Sequence, residues 1–250
     1  MYGRRDASCW ASKSNVWLMR YWLLLGPNDT DRWAWPLRAI MAGALGVTVV
    51  LVAAVIEQYP QAVSGSGTPI YATMLSLVLA GYAVATVLLT RVDLLAVRWA
   101  MPAGLVAAVL WTLGMPVGGA YRLSMPWLDL FYAVGLVVAF TAAPVVAAAM
   151  VARRTGAVER VVLTGAATGM YAALANLIGG LILVLVLPGR VPLDPSVLNH
   201  YHTPTDILGA SVGEDLVPYV LLLLGWPLVG TFLGIIGNAI GMMLPRPEAL

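Results

Sequence analysis

The charged residues of this chain are kept apart from its apolar residues, and this separation limits the possible folds more than any other feature. The 14 basic and 12 acidic residues all lie outside six uninterrupted apolar runs. The runs are 39–56, 70–90, 99–121, 130–151, 161–189 and 216–245. A helix needs about 20 apolar residues to cross a hydrocarbon core of about 30 Å. Each run can span, the first once it is extended back to Trp33 with Arg38 reaching the interface.

Composition agrees with membrane insertion and excludes two other classes of protein. Sixty per cent of the residues are hydrophobic and 10% are charged, against about a quarter charged in soluble domains. Strands of a membrane barrel would be about ten residues long and alternate in polarity, whereas these runs are continuous. We therefore predict an all-α, polytopic bundle of about six transmembrane helices. The expected spans are about 33–56, 70–90, 99–118, 127–150, 161–188 and 216–244, in one domain over 33–245.

The distribution of arginine predicts the orientation of the bundle. With both termini in the cytoplasm, the excess of basic residues falls on the cytoplasmic side at every turn. The opposite loops hold only Arg122 and Arg190. We therefore expect a multi-pass protein of the cytoplasmic (inner) membrane, in contact with the lipid bilayer. The net charge of +2 and the scattered basic residues give no indication of a nucleic-acid partner.

Two segments are not expected to span. The cytoplasmic tail over 1–32 contains an amphipathic stretch at about 15–25, in which Trp17, Arg20 and Trp22 lie among aliphatic residues. Such a composition predicts a helix in the membrane interface. The other segment is the outer loop over 190–215, the longest and most polar of the expected connections. Loops of that length are often functional.

Known chemical motifs are absent, and this counts against an intramembrane enzyme or a proton-driven carrier. No Asp, Glu, Lys, Arg or His lies in the middle of a predicted span, where such proteins place ionisable groups. The sequence has no H-E-x-x-H motif, P-loop, G-x-S-x-G elbow or dinucleotide fingerprint. Cys9 is the single cysteine, so a thiolate metal cluster is excluded. We predict no cofactor.

The best metal candidate is the pair His200 and His202 in the outer loop, with Asp194 and Asp206 near them in sequence. In an extended segment, residues two apart point to the same side, so both imidazoles can face one ion. The alternative is that these residues form hydrogen bonds within a capped loop, and such a short pattern also matches many loops by chance.

Small residues form stripes on the last two predicted helices. Gly230, Gly234, Gly237 and Gly241 are spaced four, three and four residues apart, which places them on one helix face. They form two G-x-x-x-G units, a pattern that lets helix backbones approach closely. The preceding helix carries a parallel set: Gly165, Gly169, Ala172, Asn176 and Gly179 or Gly180. The sequence predicts that these faces pack against other helices, either of this chain or of a partner.

One asparagine lies deep in each of these helices, at Asn176 and Asn238. A buried amide costs free energy unless it finds partners, so the two side chains either join helices or line a polar pathway. In the second case the neighbouring polar residues would contribute to the pathway; these are Thr168, Tyr171 and Thr231. Pro227 leaves one carbonyl of the last span without its helical amide and predicts a kink there.

Three functions are compatible with these features. The first expectation is a non-catalytic subunit or scaffold, whose small-residue faces dock other membrane subunits or a second copy. The second is a permease or permease subunit that transports a neutral or lipid-like solute through a cavity lined by Asn176, Asn238, Tyr171 and Thr168. The third is an enzyme that acts at the outer interface through His200 or His202.

The layout is similar to the membrane half of small ABC-type exporters. Those proteins also begin with an interfacial helix and often have a long outer connection before the last span. The resemblance is one of layout without a shared motif. The link over 91–98 is short and leaves little room for a helix that would contact an ATPase.

Overall fold

A computed structural model of the chain describes residues 30–63, 68–121, 126–188 and 203–244. These ranges fold into six long helices and one turn of 3-10 helix at Pro60–Val63. The helices are α1 (Thr30–Gln58), α2 (Thr68–Val92), α3 (Leu94–Tyr121), α4 (Pro126–Thr155), α5 (Val158–Val186) and α6 (Pro204–Met243). The prediction of an all-helical fold is confirmed.

Five of the six helices are long and apolar enough to cross a membrane. Their spanning segments are Ala34–Gln58, Ala72–Val92, Leu94–Thr112, Val158–Val186 and Tyr219–Met243. The remaining helix, α4, lies where the fourth span is predicted. Many large apolar side chains on the outside of the bundle are exposed, among them Val50, Leu77 and Phe232. Such a surface fits a hydrocarbon environment and is atypical of a soluble monomer.

Helix α6 begins earlier than hydropathy alone predicts. Its first residue is Pro204, so the second part of the 190–215 segment lies in helix. Thr203 caps this end, because its hydroxyl accepts a hydrogen bond from the Asp206 amide at 3.2 Å and proline is favoured in the first turn. These capping signals extend the helix beyond its apolar run. The predicted interfacial helix at 15–25 lies outside the described residues.

Helix α5 is at the centre of the bundle. In the 18-residue apolar stretch of α5, 67% of the residues are buried. In the corresponding stretches of the other four candidate spans, this share is 17–33%. It packs against α3, α4 and α6, and α1 lies against it from the remaining side. An α5 surrounded by protein explains why its sequence has no polar face.

The glycines of α5 and α6 bring these two helices into backbone contact. A Cβ atom added to Gly165 would collide with the Gly230 carbonyl oxygen and lie 2.8 Å from the Gly234 Cα. A Cβ on Gly169 would collide in the same way with the carbonyl oxygen of Trp226. The two stripes therefore meet each other inside this chain, as close packing of G-x-x-x-G faces requires.

The second half of the α6 stripe packs against a different helix. A Cβ on Gly237 would lie 2.5 Å from the Val145 carbonyl oxygen of α4. One on Gly241 would lie 2.6 Å from the Ala149 carbonyl oxygen, also of α4. The first half of the stripe thus packs against α5 and the second half against α4, so α6 lies between these two helices.

Tyr82 of α2 donates a hydrogen bond to the carbonyl that Pro227 leaves without a helical partner. In a regular helix the amide of residue 227 would donate to the carbonyl of Leu223, and proline has no amide hydrogen. The Tyr82 hydroxyl donates to the Leu223 carbonyl oxygen instead, at 2.6 Å. Both residues are buried. This bond ties α2 to the proline position of α6.

An ion pair joins the start of α3 to the start of α5. Asp93 lies in the one-residue break between α2 and α3, where it is 8% exposed, and its Oδ2 is 3.2 Å from the Nε of Arg160. Its other oxygen, Oδ1, accepts a hydrogen bond from the Ala96 amide at 3.1 Å and caps α3. One carboxylate thus caps the start of α3 and joins it to α5.

Replacement of Gly230 by alanine tests the α5–α6 contact. We expect Gly230→Ala to destabilise the protein by about 3 kcal/mol, because a methyl group there has no space between two backbones. Gly225→Ala in the same helix is the matched control, since a Cβ at Gly225 meets nothing within 4 Å. The measurement is the free energy of unfolding in a mild detergent. Equal stability of the two variants would contradict the packing described.

A double-mutant cycle tests the bond between Tyr82 and the Leu223 carbonyl. We expect Tyr82→Phe to cost about 1–3 kcal/mol of unfolding free energy, because it leaves a buried carbonyl without a donor. In a Pro227→Ala background the backbone amide is restored, so the same change should cost much less. The control is Tyr171→Phe, which removes a hydroxyl that makes no hydrogen bond to the described residues. An identical loss in both backgrounds would argue against the assigned bond.

Candidate functional site

A cavity lies between α1, α3 and α5 in the described part of the chain. It has a volume of about 380 Å³, within the range of about 300–1,000 Å³ that is typical of small-molecule sites. Almost all of its lining is apolar. The lining residues are Ile40, Met41 and Ala44 of α1; Met101, Leu105, Ala108, Val109 and Thr112 of α3; and Tyr171, Leu174, Ala175, Ile178 and Gly179 of α5.

The cavity has a buried floor and an exposed rim. On the floor, Tyr171 is 7% and Leu174 2% exposed. At the rim, Ile40, Leu105 and Val109 are 51%, 53% and 47% exposed. Because the exposed residues belong to α1 and α3, the opening lies at the side of the bundle between these two helices. In a bilayer, such an opening faces the lipid acyl chains.

Two local features leave this space empty. Short side chains at Ala44, Ala108 and Ala175 line the walls where leucine would fill the gap. At one end, Gly179 of α5 is in contact with the Thr112 side chain of α3. This contact closes the cavity between α3 and α5 and holds the two helices at a fixed separation.

Tyr171 lines the cavity, but its hydroxyl is buried away from the open space of the cavity. Tyr171 Oη is buried and has no hydrogen-bond partner among the described residues. Thr86 lies beside it, but the Thr86 hydroxyl donates to the Tyr82 carbonyl oxygen at 2.9 Å and makes no well-aligned bond to Tyr171. A buried hydroxyl without a partner costs about 1–3 kcal/mol.

Comparison with family models, with curated proteins and with solved structures gave no match to this chain.

The predicted pathway residues do not come together in the cavity. Of the four, Tyr171 lines it, whereas Asn176, Asn238 and Thr168 are absent from its lining. The Thr168 hydroxyl donates to the Thr164 carbonyl oxygen at 2.7 Å, within its own helix. Both asparagines are buried, and within the described part of the chain their Oδ1 atoms accept no hydrogen bond. Of these residues, Tyr171 alone lines this cavity.

The other predicted site residues have structural surroundings or lie outside the described ranges. Gly165, Gly169, Gly230 and Gly234 pack α5 against α6, and Gly237 and Gly241 pack α6 against α4. Asp194, His200 and His202 are outside the described residues. Asp206 lies in the first turn of α6, where its Oδ2 accepts a hydrogen bond from the Thr203 hydroxyl at 2.5 Å. No group of three metal-binding side chains occurs in the ranges that the structure describes.

The cavity itself is not predicted by the sequence. Its residues are apolar and belong to predicted spans. Their hydropathy therefore does not distinguish them from residues that face lipid or pack between helices. The one available signal is the repeated occurrence of alanine and glycine on α1, α3 and α5 at positions that face one another. This pattern predicts a cavity only when the register between the three helices is known.

Proposed function

We propose that this chain is a multi-pass membrane protein of the permease type, which admits a lipid-like solute from the bilayer through the lateral opening between α1 and α3. The observation that carries the proposal is the apolar cavity with an open side. A hydrophobic solute can enter such a site from the hydrocarbon without crossing water. Ligand pockets in proteins are lined predominantly by apolar side chains.

The glycine contacts within this chain count against the scaffold interpretation. It depended on small-residue faces that were free to dock a partner, but the faces on α5 and α6 are in contact with each other and with α4. The enzyme interpretation depends on His200 and His202, and the described residues add no support for it. The cavity favours solute binding over both alternatives.

We further propose six spans with both termini in the cytoplasm, in the cytoplasmic membrane. Arginines gather where α2 and α4 end and where α3 and α5 begin; they are Arg91, Arg98, Arg153, Arg154 and Arg160. The opposite end of the bundle carries Glu57 at the end of α1 and Asp206 at the start of α6. The positive-inside tendency then assigns the arginine end to the cytoplasm.

Occlusion of the cavity tests the proposed binding function. We expect Ala44→Phe to prevent photocrosslinking of a lipid with a photoreactive acyl chain to the lining residues, because the ring fills the space. The matched control is Ala53→Phe on the same helix, at an exposed position outside the lining. Crosslinked peptides are identified by mass spectrometry of the full-length protein in lipid nanodiscs. Equal crosslinking of Ala44→Phe and the unchanged protein would contradict the proposal.

The single cysteine tests the orientation. In intact cells that make the full chain, a membrane-impermeant maleimide should leave Cys9 unlabelled and should label it after permeabilisation. The control is Ser66→Cys in a Cys9→Ser background, which places a thiol in a predicted outer loop and should react in intact cells. Labelling of Cys9 from outside would reverse the assigned orientation.

A further inference from the structure

Six arginines lie near one end of the bundle, and contacts hold several of them in place. They are Arg38, Arg91, Arg98, Arg153, Arg154 and Arg160. Arg160 pairs with Asp93, and the Arg154 guanidinium lies 4.8 Å from the ring centroid of Trp99. Asp31, Asp93 and Glu159 are the acidic residues at this end in the described part of the chain, and Arg32 adds a seventh arginine. The end therefore keeps a positive field, which attracts anions at the membrane surface.

The cavity extends toward this arginine end. Its first α1 residues, Ile40 and Met41, follow directly after Arg38, and its first α3 residue, Met101, lies one turn beyond Arg98. Residues three apart share a helix face, so Arg38 lies in line with Met41 and Arg98 in line with Met101. Helical side chains lean toward the helix N-terminus. In α1 and α3 that direction leads away from the cavity and toward the charged end of the bundle.

The length of the cavity suits one acyl chain. From Met101 to Thr112 it extends about 16 Å along α3, at about 1.5 Å per residue. That is close to half of a hydrocarbon core of about 30 Å, which is the depth of one leaflet. A lipid chain that enters from the side would thus have its headgroup at the level of Arg38 and Arg98.

Arg38 is suited to hold an anionic headgroup. It is half-buried, and its Nε donates to the Thr90 hydroxyl at 2.8 Å. This bond uses the Nε hydrogen and fixes the guanidinium plane, so it does not itself occupy the two terminal nitrogens. A fixed guanidinium is the side chain best able to bind a carboxylate or phosphate through two parallel hydrogen bonds.

We infer that the cavity binds an anionic amphiphile, with the acyl chain between α1, α3 and α5 and the negative headgroup at Arg38 and Arg98. The inference rests on the proposed function, since it names the chemistry of the solute for the same cavity. Carboxylate of a fatty acid and phosphate of a phospholipid share this chemistry. The cavity volume accommodates one chain, which favours a single-chain amphiphile.

Photocrosslinking with matched probes tests the inference. The probes are a photoreactive fatty acid, the corresponding fatty alcohol, and a phosphatidylglycerol with the same photoreactive chain, each added to the full-length protein in neutral nanodiscs. We expect the fatty acid to label the cavity about tenfold more strongly than the alcohol, as a charge-assisted bond predicts. Weaker labelling by phosphatidylglycerol than by the fatty acid would identify the single-chain carboxylate as the preferred source of charge. The reverse order would assign the site to a phospholipid and overturn the single-chain preference.

Variants separate the role of Arg38 from the general positive field. Arg38→Gln should reduce fatty-acid labelling about fivefold, with Arg98 retaining the remaining preference over the alcohol, whereas Arg91→Gln removes the same charge from the same end and should have no effect. Thr90→Val removes the bond that orients Arg38 but keeps its charge, and should give an intermediate loss. If acid and alcohol label the cavity equally in every variant, the anionic preference is wrong and the proposed function stands. If neither probe labels the cavity, the proposed function itself fails.

Discussion

The contact between the backbones of α5 and α6 is the constraint on which the rest of the bundle depends. Where Gly165 faces Gly230 there is no side chain between the helices, so their separation is set by main-chain atoms alone. Hydrophobic attraction does not bring helices together in lipid, because the acyl chains are as apolar as leucine. Close van der Waals contact replaces it. The same α6 stripe continues onto α4 and thereby fixes the positions of three helices.

The cavity follows from what this contact does to α5. One side of α5 is committed to α6 through Gly165 and Gly169, and the roughly opposite side presents Tyr171, Leu174 and Ile178 to α1 and α3. Helix α1 is held at its charged end by the bond from Arg38 to Thr90. Between that attachment and the contact of Gly179 with Thr112, small side chains leave the gap unfilled. A rigid packed side and an unfilled side therefore belong to the same helix.

Sequence reasoning predicts the features of this fold that depend on one helix at a time. The apolar runs predict the helices, the glycine spacing predicts faces for close packing, and Pro227 predicts a carbonyl without its amide. The partners of these groups are beyond such reasoning, because they are set by tertiary register: Gly237 faces α4 and not α5, and Tyr82 supplies the missing donor. Asp93 is the clearest omission. As a single charge between two apolar runs it resembles an ordinary loop residue, and its burial depends on the approach of Arg160 from α5.

The bond from Tyr82 to the Leu223 carbonyl has a consequence for biogenesis. Within hydrocarbon each backbone group needs a partner, and α6 cannot satisfy the Leu223 carbonyl from its own residues. The donor belongs to α2, which is synthesised earlier and is already in the membrane when α6 leaves the ribosome. In the folded bundle the Leu223 carbonyl therefore has its partner where α6 lies beside α2. The order of synthesis places this donor in the chain before the acceptor that depends on it.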